Sequence, residues 1–304
     1  MKLVAATVYA LRIPFVEAFR HSAKERRWSD SVVVRVRDED GTEGFGEGIA
    51  RPYVTGETPD TMVQHLMQDL WPAVVRRDLP ELADAGALRA VDAFIPDKRT
   101  PGVVANHASR AALELAILDG ALRRQRTSVA QVLPPCRTKV VYSGIITAGS
   151  REGALQHARQ MKLVGFKHIK VKVGFDDDAD RIRALREVLG PSVSLRLDAN
   201  GAWNVEQATR ALDALAAFDI AAVEQPLPRG PIAALQRLKA GTSVPIMVDE
   251  SLVTLDDAEA LIAERAVDYF NLRVSKVWRA GALPGDRRPR GGRRRAVAGR
   301  QPGG

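Results

Sequence analysis

Residues 166–175 read FKHIKVKVGF. Ile169, Val171 and Val173 alternate with Lys170 and Lys172. That is the period of a strand, and side chains at i and i+2 of a strand leave from one face. Two ammonium groups therefore share a face of a strand rich in branched aliphatics. The same texture recurs along the chain. Apolar runs at 140–146, 168–173, 193–197, 221–223, 246–248 and 269–274 alternate with helical patterns near 151–164, 178–189, 205–217, 231–240 and 256–264. Strand–helix alternation predicts parallel strands joined by right-handed crossovers, an α/β architecture.

Each of the last five strands closes on a polar residue: Lys172, Asp198, Glu224, Asp249 and Lys276, separated by 25 to 27 residues. That interval is close to one β/α unit of a barrel, in which chemistry gathers at the C-terminal ends of the strands. The five residues are therefore expected at one mouth. Bare, the carboxylates of Asp198, Glu224 and Asp249 would repel one another. A hard divalent cation removes the repulsion, Mg²⁺ first and Mn²⁺ as the alternative. The bland reading of one such acid is a solvated loop residue, but three in register favour a site. A like charge and partial burial both disfavour the protonated lysine. They would bring Lys172 towards neutrality, where it can act as a general base. Lys276 would reach the same place from the far side, and a base on each face permits proton removal and return.

The stretches KVKVG (Lys170, Lys172), LRLDANGAW (Asp198, Asn200), VEQPL (Glu224), VDES (Asp249, Glu250) and NLRVSK (Lys276) together resemble the enolase superfamily, in its muconate-lactonizing subgroup, which includes muconate cycloisomerases and dipeptide epimerases. GTEGFGEG at 41–48 and YVTGET at 53–58 resemble that family's capping domain. The resemblance implies an N-terminal α+β capping domain over a modified (β/α)₇β barrel of TIM type. It implies Mg²⁺ on Asp198, Glu224 and Asp249, and a stabilised enediolate formed by removing a proton α to a carboxylate. Lys172 and Lys276 would be the opposed acid/bases, and Lys170 would tune Lys172 and touch the substrate carboxylate. Asn200 and Glu250 would support the metal site. Loops near 15–25 and 50–58 would close over the mouth, with Arg20, His21, Arg51 and Tyr53 as candidate substrate contacts. RPYVTGET leans towards epimerisation of dipeptides or N-acyl amino acids. Muconate cycloisomerisation and an o-succinylbenzoate synthase-type lyase are the alternatives, and an impaired remnant that at most binds metal is the alternative of another class.

The first half has a different grammar. Ser31 to Arg37 and Thr42 to Glu47 read as hairpin strands about the turn Asp38–Gly41, and helices are expected over 59–75 and 106–123. Gly44, Gly46 and Gly48 lie in a hairpin strand, so GFGEG is no dinucleotide fingerprint. The histidines at 65, 107, 157 and 168 read as structural. We expect domains at 1–128 (capping), 129–278 (partial barrel) and 279–304 (tail). The net charge of +8 is concentrated: from Arg279 onward there are eight arginines and one aspartate. Eighteen of those 26 residues are Arg, Gly or Pro, a composition expected to be disordered. The change directly after NLRVSK suggests truncation or a frame shift beyond the sixth barrel strand, leaving an incomplete barrel with open edges. Translating the underlying DNA in its other frames tests this. Aromatic content of 5% argues against a base-stacking nucleic-acid surface, and no apolar run suits a membrane span. The lone Cys136 fits a reducing compartment, so a cytoplasmic enzyme acting on a small-molecule carboxylate is expected, with a homo-oligomer left open.

Overall fold

A computed structural model describes residues 1–277 apart from 22–23, 98–102 and 148–149; side chains of 17–26, 85 and 89 are likewise outside the description. The tail expected to be disordered, 279–304, lies outside the described residues. The chain opens with an antiparallel meander of β1 (Leu3–His21), β2 (Lys24–Asp38) and β3 (Glu43–Ile49). The turn between β2 and β3 is organised by Asp38, whose Oδ1 accepts the backbone N–H of Asp40 at 3.0 Å and of Thr42 at 2.8 Å. Next come α1 (Pro59–His65), a π-helical turn (Leu66–Leu70), α2 (Trp71–Val74), α3 (Ala85–Phe94), α4 (His107–Arg124) and α5 (Val129–Val132).

The buried face of β2, with Val32, Val34 and Val36, joins Leu113, Ala116 and Ile117 of α4 in one core. The glycines of β3 let the helix come closer than any side chain would allow. A Cβ on Gly44, Gly46 or Gly48 would lie 2.2, 2.1 or 2.2 Å from the carbonyl oxygens of Ala116, Ala112 and Ala108. The GFGEG spacing thus serves packing of β3 on α4.

A six-stranded parallel sheet follows, in sequential order: β4 (Ser143–Ile146), β5 (His168–Lys172), β6 (Ser194–Asp198), β7 (Ile220–Glu224), β8 (Ile246–Val248) and β9 (Tyr269–Phe270). Between them run α6 (Arg151–Val164), α7 (Asp178–Leu189), α8 (Val205–Leu215), α9 (Ile232–Ala240) and α10 (Leu255–Ala263), and α11 (Val274–Val277) closes the described chain. These are six consecutive β/α staves of a barrel wall, with β4 and β9 at its edges among the described residues. Ile169, Val171, Leu195, Leu197, Val223, Ile246 and Val248 fill a second core against the crossover helices. Val54, Ala105 and Val253 form a small third cluster that joins the two halves.

Four expectations are corrected. Strand β4 starts at Ser143, leaving Val140 and Val141 exposed. The last strand stops at Phe270, and Lys276 stands in the turn of α11 instead of at a strand end. The segment expected as an irregular loop near 15–25 is paired strand on either side of residues 22–23, which lie outside the described residues: Arg20 pairs with Glu25 and His21 with Lys24. Helices α3 and α5 were not visible in the sequence; Asp84 caps the first, and a Ser128–Gln131 box opens the second.

Candidate active site

Parallel register brings the strand ends level. Lys172 stands beside Asp198, and Asp198 beside Glu224; Asp249 follows β8 directly. Lys172 and Lys276 thus bracket the ends of β6, β7 and β8. All five residues are buried, with Glu224 and Asp249 fully so. The paired lysines of β5 are tolerated because a carboxylate lies between them. Asp198 Oδ2 is 2.5 Å from Lys170 Nζ and 2.7 Å from Lys172 Nζ. Lys170 also donates to Glu224 Oε1 at 2.9 Å, and Lys172 to Asn200 Oδ1 at 2.5 Å. Asn200 in turn donates to Glu250 Oε1 at 2.9 Å.

On the other flank, the Lys276 ammonium donates to Asp249 Oδ1 (2.7 Å), Asp249 O (2.6 Å) and Asn271 O (2.8 Å). Arg273 bonds the second Asp249 oxygen. Asn271 Nδ2 donates to Glu224 Oε1 at 2.7 Å, and Arg196 Nε lies 3.4 Å from Glu224 Oε2. Each acid is therefore compensated by basic side chains, as buried charges must be. Among the described residues, no three His, Cys, Asp or Glu side chains stand close enough together to hold a metal ion. The cation grip expected for Asp198, Glu224 and Asp249 is not preformed: each acid faces a lysine or arginine.

Three observations nevertheless fit a hard cation. The donors are carboxylate oxygens on adjacent strand ends, Glu224 Oε2 is buried without a hydrogen-bond partner, and so is Glu250 Oε2. The backbone is strained in the same place: Asn200 and Gln225, each one or two residues past an acid, have φ of 48° and 42°. Gln225 repays this by accepting from the N–H of Asp249 at 3.0 Å and of Ser251 at 3.1 Å, which fixes the loop after β8.

The electrostatics follow from burial and pairing. Burial alone would raise the Asp198 carboxyl, but Lys170 and Lys172 outweigh it and hold it below the ordinary value. Burial raises Glu250, helped by the nearby Asp198. Burial, then Arg273, push Lys276 down from 10.5 to about 7, against the pull of the Glu250, Glu224 and Asp257 carboxylates.

The capping residues stand differently. Arg51 Nη1 donates to the Tyr53 hydroxyl at 2.8 Å, on the loop before α1. The side chains of Arg20 and His21 are outside the description. Three residues that take part in the site carried no role in the sequence reading: Asn271, Arg273 and Arg196. The first two lie inside NLRVSK, and Arg196 shares a strand face with Asp198, so spacing alone could have found them.

The sequence matches two family descriptions: "Mandelate racemase / muconate lactonizing enzyme, N-terminal domain" over residues 3–134, and "Enolase C-terminal domain-like" over 153–278. An L-Ala-D/L-Glu epimerase of Bacillus subtilis is 28% identical over 290 residues, covering 94% of this chain and 76% of the relative. A chloromuconate cycloisomerase of Cupriavidus pinatubonensis is 31% identical over 281 residues, covering 90% and 73%. The crystal structure of a dipeptide epimerase from Enterococcus faecalis, complexed with Mg and the dipeptide L-Leu-L-Tyr, superposes with a TM-score of 0.80 at 28% identity, covering 91% of this chain and 76% of that one.

Proposed function

This chain belongs to the mandelate racemase / muconate lactonizing enzyme family of the enolase superfamily, and from that premise we propose that it is an epimerase of dipeptides or N-acyl amino acids. The observation that carries the reading is the bracket: an amine at each end of a row of three buried acids, Lys172 on one flank and Lys276 on the other. Such a pair suits inversion at a carbon atom, because each amine addresses one face of a flat intermediate.

One lysine nitrogen removes the proton α to the substrate carboxylate. The electron pair of the broken C–H bond passes into the carboxyl group. The other lysine, as its ammonium, delivers a proton to the opposite face, and the centre is inverted. Both ammonium groups are hydrogen-bonded, so the one acting as base must first release a proton. The low pKa of Lys276 serves this. Lys170 adds positive charge where the substrate carboxylate would lie. Mg²⁺, for which Mn²⁺ is the substitute, would be held by Asp198, Glu224 and Asp249, and when bound it supplies charge that neutralises the developing carboxylate dianion. Asn200 and Glu250 orient Lys172 and Asp198. Arg51 and Tyr53, with Arg20 and His21, are the proposed substrate-facing set of the cap.

Two separate apolar cores support a division near residue 128, with Val132 of α5 still packed on the first. No helix among the described residues is long and apolar enough to cross a membrane. Together with the single free Cys136, this supports a cytoplasmic enzyme with a small-molecule carboxylate as its ligand. The test is a panel of dipeptides and N-acyl amino acids with Mg²⁺ in D₂O, read by NMR for deuterium at the α-carbon. Incorporation in none of them would refute the epimerase reading. The resemblance to a chloromuconate cycloisomerase favours one second reading, in which the same lysines serve cycloisomerisation; absorbance loss with a muconate, and no dipeptide exchange, would decide for it.

A further inference from the structure

We propose that His107 is a positioning residue that ties the capping domain to the main chain of Lys276 and so sets where its ammonium stands. This rests on Lys276 being one of the two proton carriers. His107 opens α4 and is partly buried. Its Nδ1 donates to the carbonyl oxygen of Lys276 at 2.6 Å. A carbonyl only accepts, so Nδ1 carries the hydrogen and the tautomer is fixed.

The contact matters because Lys276 has little local support. Its helix, α11, has four residues, and the strand before it has two. A single helical turn does not hold itself in water. Its position must come from outside contacts. The ammonium is fixed by Asp249 and Asn271 O, and the carbonyl at the other end of the residue is fixed by His107.

His107 is itself anchored to the loop before α1. Fully buried Glu57 accepts the N–H groups of Ala108 and Ser109, both at 2.9 Å, which pins the first turn of α4. The Thr55 carbonyl accepts from Val104 at 2.8 Å. Val54 and Ala105 pack on Val253, just beyond Asp249. An unbroken chain of contacts thus runs from the loop of Arg51 and Tyr53, through Glu57 and the start of α4, to Lys276. Lys172 is anchored differently, by Arg181 Nη2 of α7, which donates to its carbonyl at 2.7 Å. A fault at His107 should therefore affect one lysine and spare the other.

The test uses the full chain with Mg²⁺, L-Ala-L-Glu and L-Ala-D-Glu in D₂O. A lysine carrying deuterons removes the α-proton and returns a deuteron, so wash-in to each epimer reports the lysine that faces it. His107→Leu should slow wash-in to one epimer by about 10- to 100-fold, the penalty of a roughly ångström-scale misplacement, and leave the other near wild type. His107→Asn, whose amide N–H stands where Nδ1 does, should restore the slow side. Amide exchange over 271–277 should quicken in the Leu variant, recover in the Asn variant, and stay unchanged over 168–172. Equal slowing of both epimers, no slowing, failure of Asn to restore, or unaltered exchange over 271–277 would each overturn the inference. If this pair is not exchanged, the same comparison is made on the panel compound that is; wild type exchanging none of the panel would instead sink the proposed function, and the inference with it.

Discussion

Gly46→Ala separates two physical effects of opposite sign. Replacing a strand glycine by alanine restricts the unfolded chain and stabilises by about 0.4–1 kcal/mol where the native backbone accepts it. Here it does not. The new Cβ would sit 2.1 Å from Ala112 O and 2.4 Å from Ala116 N. Both are backbone atoms of α4, so no rotamer change can relieve the clash. Strand and helix must part by about 1 Å to reach ordinary contact distance, and overpacking of this kind costs about 1–3 kcal/mol. The sterics win, giving a net loss of up to about 2.5 kcal/mol. At about 2–4 °C per kcal/mol, the melting point should fall by several degrees. The assay is a thermal or urea melt followed by far-UV circular dichroism. Gly230→Ala is the control: the nearest atom to its Cβ is 3.8 Å away, and the melt should not fall but rise by about a degree or more. Because α4 also carries His107, Gly46→Ala should slow catalysis as well. A Gly46→Ala protein that melts at or above wild type would refute the packing argument.

Lys172→Met and Lys276→Met should each lower epimerisation by about 10²–10⁴-fold, measured by optical rotation with folding checked by circular dichroism. Arg181→Met breaks a buried pair with Asp178, 2.5 Å apart, and should cost about 3–5 kcal/mol in a urea melt while also loosening Lys172. Asp38 governs an acid limb of stability. Burial would raise its carboxyl, but Arg124 at 2.8 Å and the turn N–H groups outweigh this and hold it below the ordinary value. Its contribution is complete above the unfolded value of about 3.9 and is lost as pH falls through the lower folded value. Asp38→Asn should flatten that limb in melts across acidic pH.

Much of the barrel was legible because its strands and crossover helices have different hydrophobic periods. The acids and lysines were legible because one β/α unit has a nearly constant length, so residues about 26 apart meet at one mouth. Lys276 was placed on a strand because LRVSK alternates like one; tertiary bonds to Asp249 and Asn271 instead wind it into a turn. The pairing of each acid with its own cations was not legible, since spacing gives position but not which neighbour neutralises a buried charge. Helix α3 was missed because AGALRAVDAF is short and begins at a glycine-containing turn, where the Asp84 cap decides more than periodicity. His107 looked like one scattered histidine, and its contact spans 169 positions of sequence.

The claim on which the account turns is that Lys172 and Lys276 move protons at one carbon atom from opposite sides. Deuterium wash-in at the α-carbon of L-Ala-L-Glu and L-Ala-D-Glu, measured with Mg²⁺ for wild type, Lys172→Met and Lys276→Met, tests it most directly. The account predicts wash-in to both epimers by wild type, and loss from a different epimer in each variant. Wash-in that survives both substitutions, or vanishes from the same epimer in both, would contradict it.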